Sequence, residues 1–124
     1  MRNNGFYKYL GKEDHLQHLV MNYLAVQYPE TLSIHVPNEG KRSPFMQYKF
    51  KYLGGMSGIP DVIIFRGNSK YLGLAIELKI APNKPTKNQK LFLDKLSYSG
   101  WYATWTNNFE DAKSIINKYF KDDL

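Results

Sequence analysis

Gly58-Ile59-Pro60-Asp61-Val62-Ile63-Ile64-Phe65 is followed, after a polar link, by Leu74-Ala75-Ile76-Glu77-Leu78-Lys79-Ile80. Gly67-Asn68-Ser69 punctuates the link. Two apolar runs around such a break are the signature of two strands joined by a short turn. Asp61, Glu77 and Lys79 stand out within them. Acids are seldom buried unless they are paired or bind a metal.

Strand alternation sharpens the question. Leu72, Leu74, Ile76, Leu78 and Ile80 share one face, which is wholly aliphatic and is expected to be core. Tyr71, Gly73, Ala75, Glu77 and Lys79 share the other. Asp61 joins that second face only if it pairs with position 75 or 77. A symmetric turn of even length pairs it with Ile76, on the wrong face. An odd loop or a β-bulge is therefore required, with Gly67 as the candidate bulge residue.

Working outward, residues 12 to 28 read as a helix stopped by Pro29, with Leu16, Leu19, Val20, Tyr23 and Leu24 as its apolar stripe. Glu13 lies at the start of that buried face. It is either a favourable charge in the first turn or a carboxylate aimed at the Asp61/Glu77 centre. Residues 31 to 36 alternate as a strand ending at Pro37. Asn38-Glu39-Gly40-Lys41-Arg42 is then a polar, basic loop. Ser43-Pro44 is a helix start, with a cap residue and then proline at the first position. That helix is expected to end near Gly54-Gly55, with Lys49 and Lys51 adding to a basic surface.

Thr86-x-x-Gln89 is a capping box that opens a helix running to about Ser99, with Phe92, Leu93 and Leu96 as its apolar face. Lys84, Lys87 and Lys90 cluster at its N-terminus, where free N–H groups and the helix dipole favour phosphate. Trp101 to Thr106 is a further strand. Asn107-Asn108 leads into a last helix with Ala112, Ile115, Ile116, Tyr119 and Phe120 on one face. The order α-β-(α)-β-β-α-β-α predicts an α/β domain, a mixed sheet with helices on both sides.

Five ordered blocks carry a family resemblance: Glu13 in the first helix, Pro37-Asn38-Glu39-Gly40-Lys41-Arg42, Gly58-Ile59-Pro60-Asp61, Glu77-Leu78-Lys79, and Thr86-Lys87-Asn88-Gln89. Pro-Asp followed by Glu-x-Lys resembles the PD-(D/E)XK nuclease superfamily. The full set is similar to a VRR-NUC domain in a compact, nearly stand-alone form, over roughly residues 12 to 120. The Glu-x-Lys triplet alone is a weak signal; the ordered set is a strong one. Threonine, at Thr86, stands where the family's motif has serine, and a hydroxyl is kept.

The resemblance implies a restriction-endonuclease-like αβββαβ core: a mixed four-stranded sheet flanked by helices, with an extra C-terminal helix. Residues 1–11 are read as an N-terminal arm and 12–124 as a single nuclease domain. It further implies a metal-dependent DNA endonuclease, with Mg²⁺ or Mn²⁺ bound by Glu13, Asp61, Glu77 and the main-chain carbonyl of Leu78. Hard cations of this kind favour oxygen ligands. Lys79 then orients water or stabilises charge on the phosphate. Its alternative is an ion pair with Glu77 or Asp61. Gln89 is either catalytic or simply part of the capping box. Asn38, Lys41, Arg42, Lys84, Thr86, Lys87 and Lys90 are the candidate DNA-binding residues.

Composition agrees with these expectations. The chain has 124 residues, enough for one domain. Its +6 formal charge suits a polyanionic partner or simple solubility. The absence of cysteine excludes disulfides, thiolate zinc sites and a cysteine nucleophile. No stretch approaches the ~18–20 apolar residues of a membrane span, and no signal-like run opens the chain. A cytoplasmic protein without membrane contact is expected, and stand-alone family members suggest phage-infected or bacterial cells. His15-x-x-His18 has helical metal spacing but suggests no third ligand, and His35 builds no histidine-based nuclease motif.

Stand-alone members of the family resemble junction resolvases, and symmetric cleavage of branched DNA needs two sites, so the resemblance points to a homodimer that prefers branched DNA. Phe6, Tyr7, Tyr9, Phe45, Tyr48 and Tyr52 form either a second small core or part of its surface. The alternatives from other classes are a nucleic-acid-binding module without activity and a partner-recruiting module. Both leave the intact set of Asp61, Glu77 and Lys79 unexplained.

Overall fold

The computed structural model describes residues 6–37 and 42–124. Four helices are described, α1 (Lys12–Gln27), α2 (Pro44–Tyr52), α3 (Lys87–Tyr98) and α4 (Phe109–Phe120), together with a 3₁₀ turn at Phe6–Tyr9. The strands are β1 (Ser33–His35), β2 (Val62–Ile64), β3 (Leu74–Leu78) and β4 (Tyr102–Thr106). They form one mixed sheet in the order β1-β2-β3-β4. β1/β2 and β2/β3 are antiparallel, and β3/β4 is parallel. This is the expected α/β architecture.

Register settles the question about the hairpin. Val62 faces Ile76 and Ile64 faces Leu74. Continued by one residue, that ladder sets Asp61 opposite Glu77. The connection, residues 65–73, is odd in length, so Asp61 reaches the face of Glu77 as required.

The sheet is covered on both faces. On one, Val62, Ile64, Leu74, Ile76 and Leu78 pack with Leu16, Val20 and Leu24 of α1 and Ala112, Ile116 and Tyr119 of α4. The other face carries Ile63 and Ala75, and Leu93 of α3 is buried as well. Every residue of β3 is buried, which explains its near-continuous apolar run.

Two stripes reach less far than their periodicity suggests. Leu72 is exposed because the ladder starts only at Leu74. Leu19 is exposed because the buried side of α1 narrows to Leu16, Val20 and Leu24. Among the described residues no second small core forms either. Tyr9, Phe45, Tyr48 and Tyr52 are all exposed, while the side chains of Phe6 and Tyr7 lie outside the described residues.

Helix ends follow their sequence signals. Ser43 Oγ accepts from Met46 N at 3.2 Å, and Asn108 Oδ1 accepts from Asp111 N at 2.8 Å. Gly54, at φ 94°, takes the left-handed conformation just past α2. Among the described residues no helix is long and apolar enough to cross a membrane.

Candidate active site

Asp61 and Glu77 meet where β2 begins and β3 ends. They are 4% and 2% exposed, on a hairpin whose other strand residues are all aliphatic. Asp61 Oδ2 accepts from the Leu78 amide at 2.8 Å. Glu77 Oε2 receives Gln89 Nε2 at 3.1 Å and stands 3.4 Å from Lys79 Nζ. Strand alternation puts Glu77 and Lys79 on one face; the register and α3 supply the rest.

Gln89 does two jobs with one amide. Its Oε1 accepts from the Thr86 amide at 2.8 Å, and its backbone N–H donates to Thr86 Oγ1 at 3.2 Å. The capping box thus occupies the carbonyl end of the side chain and leaves the NH₂ end for Glu77. The cap and the contact to the acid coexist.

The electrostatics are those of two acids forced together. Burial, then the charge of Asp61, pushes the Glu77 carboxyl up to about 8, against the opposing pull of Lys79. Burial also raises Asp61, opposed by its hydrogen bonds from Leu78 and Glu77 and by Lys79 and His35. In the metal-free protein the pair therefore holds a shared proton near neutral pH. A cation between them would remove the conflict, and every donor here is a hard oxygen.

Glu13, at the N-terminus of α1, is half-buried. Burial and the negative charge of Asp61 raise its carboxyl, and Lys79 lowers it. It stands near enough to feel Asp61 and Lys79. Among the described residues, though, no three His, Cys, Asp or Glu side chains lie close enough together to hold a metal ion. The donors that the geometry brings together are the two strand carboxylates.

Gln89, which touches Glu77, also lines a cleft of about 440 Å³ together with Arg42, Phe50, Ser57, Thr86 and Asn88. Arg42 and Thr86, two of the expected DNA-binding residues, thus share a cleft with Gln89. Lys84, Lys87 and Lys90 are exposed around the start of α3. Asn38 and Lys41 lie outside the described residues.

Three residues make contacts that sequence reasoning does not reach. Asn88 donates to Ser57 Oγ at 3.2 Å, tying the glycine-rich segment to α3. Phe50 lies under the Arg42 guanidinium, 4.1 Å from its ring centroid. His35 Nδ1 lies 3.3 Å from the Asp61 carbonyl oxygen. The adjacency of Asn88 to Gln89 is the only local signal for any of them.

A comparison with protein families matches residues 8–107 to the VRR-NUC domain. Among solved structures, one described as a VRR_NUC domain protein is similar at TM-score 0.75 and 28% identity, over 90% of both chains. Another, described as a VRR_NUC domain, has TM-score 0.61 over 89% of this chain and 99% of its own. At 17% identity that second likeness speaks to the fold alone. No curated protein matches the chain. With the family pattern spanning most of the sequence, the chain belongs to the VRR-NUC domain family and is a nuclease-fold domain.

Proposed function

We propose that this chain is a metal-dependent DNA endonuclease of the PD-(D/E)XK type that hydrolyses phosphodiester bonds. The supporting observation is the juxtaposition of Asp61 and Glu77 with Lys79 on Glu77, linked through Gln89 to a cleft that Arg42 also lines. Two buried acids with a partial counter-charge are costly for folding alone. They are well suited to a divalent cation.

Asp61 and Glu77 would hold Mg²⁺ or Mn²⁺, with the Leu78 carbonyl as a main-chain donor and Glu13 contributing through water. A bound cation supplies a Lewis acid for the phosphate oxygens and acidity for the attacking water. The protein side of the reaction is positioning and charge. Lys79 Nζ offers a cation to the charge that develops on the phosphate. Gln89 fixes the Glu77 carboxylate through one oxygen. Arg42, the Thr86 hydroxyl and the lysines at the start of α3 provide phosphate contacts along one side of the cleft. Asn38 and Lys41 extend that set in sequence.

The substrate we assign is branched DNA, cut by a homodimer. One small domain has one such centre, and symmetric incision of a junction needs two related by a two-fold axis.

The test is cleavage of linear, forked and four-way-junction DNA with Mg²⁺, with Mn²⁺ and with EDTA. Asp61→Asn and Glu77→Gln are expected to abolish cleavage while thermal melts and DNA binding persist. Full activity in either purified variant ends the assignment. Light scattering alone and on the junction checks the dimer, and a monomer mass in both cases removes it.

A further inference from the structure

None of the residues of α2 is buried, yet three of its aromatic side chains face solvent. Phe45 is 70%, Tyr48 70% and Tyr52 78% exposed. Spacings of three and four residues put them on one side of the helix. The rings of Tyr48 and Tyr52 are nearly parallel, 15° apart in plane with centroids separated by 6.3 Å. The helix does not need these rings for its own attachment. Phe50, on another side, turns toward the cleft and packs under Arg42.

The charge along this segment has one sign. Lys49 and Lys51 alternate with the aromatics, and from Arg42 to Pro60 the sequence contains no acid. The ligand that complements flat rings interleaved with cations is one with exposed π faces and regular negative charge. Single-stranded nucleic acid has both; a duplex keeps its base faces inside the stack. Arg42 and Phe50 connect the helix to the cleft beside Gln89, and Gln89 touches Glu77. The helix that carries the aromatic face thus also borders, through Phe50 on its other side, the cleft beside the carboxylate centre.

We infer that α2 is a single-strand platform: unpaired nucleobases flanking the site stack on Phe45, Tyr48 and Tyr52, while Lys49 and Lys51 hold the intervening phosphates. This rests on the nucleic-acid reading of the neighbouring site, and deepens it by stating which part of a branched substrate is held, and where.

The experiment separates the two. The full chain carrying Asp61→Asn is kept in EDTA, so that binding is read without cleavage. Fluorescence anisotropy gives Kd for a short mixed-sequence single strand and for the duplex of the same sequence, at one salt concentration. A copy of the single strand with 2-aminopurine reports stacking by quenching. The pair Tyr48→Leu with Tyr52→Leu is expected to weaken single-strand binding by roughly tenfold or more. It should abolish the quenching and leave duplex binding within about twofold. The pair Tyr48→Phe with Tyr52→Phe, which keeps the rings, is expected to match the parent.

An equal loss on both DNAs, no loss on either, or phenylalanine variants that behave like the leucine pair would overturn the platform. So would a parent dimer that the leucine pair converts to monomer in light scattering, which would mark this face as a self-association surface. Binding of anionic lipid vesicles that the leucine pair abolishes, without any effect on DNA, would reassign it to a membrane surface. A parent that binds neither DNA refutes the nucleic-acid reading itself. A parent that binds both, with the variants unchanged, refutes only the platform.

Discussion

At the scale of the residue, Gln89 is the most informative side chain in the site. Its acceptor end caps α3 and its donor end holds Glu77. Glutamate would serve the cap equally well, since capping boxes accept either residue. It would, however, set a carboxylate against Glu77 where an N–H now donates. Gln89→Glu is therefore expected to keep α3 intact by circular dichroism while losing most cleavage activity. Normal activity in that variant would show that the contact to Glu77 is incidental. Thr86→Ala separates the cap from the chemistry in the other direction. It removes the hydroxyl that accepts from Gln89 N and should cost about 0.5–2 kcal/mol. A drop in specific activity beyond the loss of folded protein, measured by melts and rates on the same samples, would show that Thr86 also positions substrate.

At the scale of the element, the glycine-rich segment between α2 and β2 sets where α3 begins relative to β3. Gly58 has φ 89°, and a Cβ there would lie 2.7 Å from the Asn88 carbonyl oxygen, an atom of the α3 backbone that cannot swing aside. Gly58→Ala combines a disfavoured conformation with a clash. The expected outcome is a loss of roughly 1–3 kcal/mol, together with a fall in rate as Gln89 is pushed from Glu77. Unchanged melting and rate would mean that the segment adjusts freely. Elements of this kind are legible in the sequence where a local rule governs them: Ser43-Pro44, Thr86-x-x-Gln89 and Asn108 each mark a helix start that the structure contains. Asp61, Glu77 and Lys79 are legible because ionisable residues in apolar strands are conspicuous. Contacts across elements are not legible. Nothing local to Gln89 indicates that its side chain reaches Glu77 of β3, or that Asn88 meets Ser57. The exposure of Leu72 is hidden too, because periodicity gives the face of a strand but not the residue at which its ladder begins.

At the scale of the whole molecule, the fold holds two acids close together at the end of a buried hairpin, and stability should report it. Burial and Asp61 raise Glu77 from an ordinary value of 4.5 to about 8. Between those values the folded chain retains a proton that the unfolded chain has released. Stability then falls as pH rises, because the unfolded state binds fewer protons. Below the window the penalty is absent; above it the penalty is complete. At about 1.4 kcal/mol for each pH unit of the window, the drop is on the order of a few kcal/mol, and it belongs to the pair rather than to Glu77 alone. A cation that binds only the folded, ionised pair acts in the opposite sense, adding stability as its concentration exceeds Kd and binding more tightly at higher pH. Metal-free protein is therefore expected to lose melting temperature steadily from about pH 4.5 to 8, and excess Mn²⁺ should flatten or reverse that slope. Glu77→Gln cannot ionise at this position, so its metal-free slope should be shallower and its response to Mn²⁺ small. Melting curves of both proteins across that range, with EDTA and with Mn²⁺, provide the measurement. Equal slopes in the two proteins would show that the acid pair is not the origin of the pH dependence, and an Mn²⁺ response of equal size in both would place the cation elsewhere.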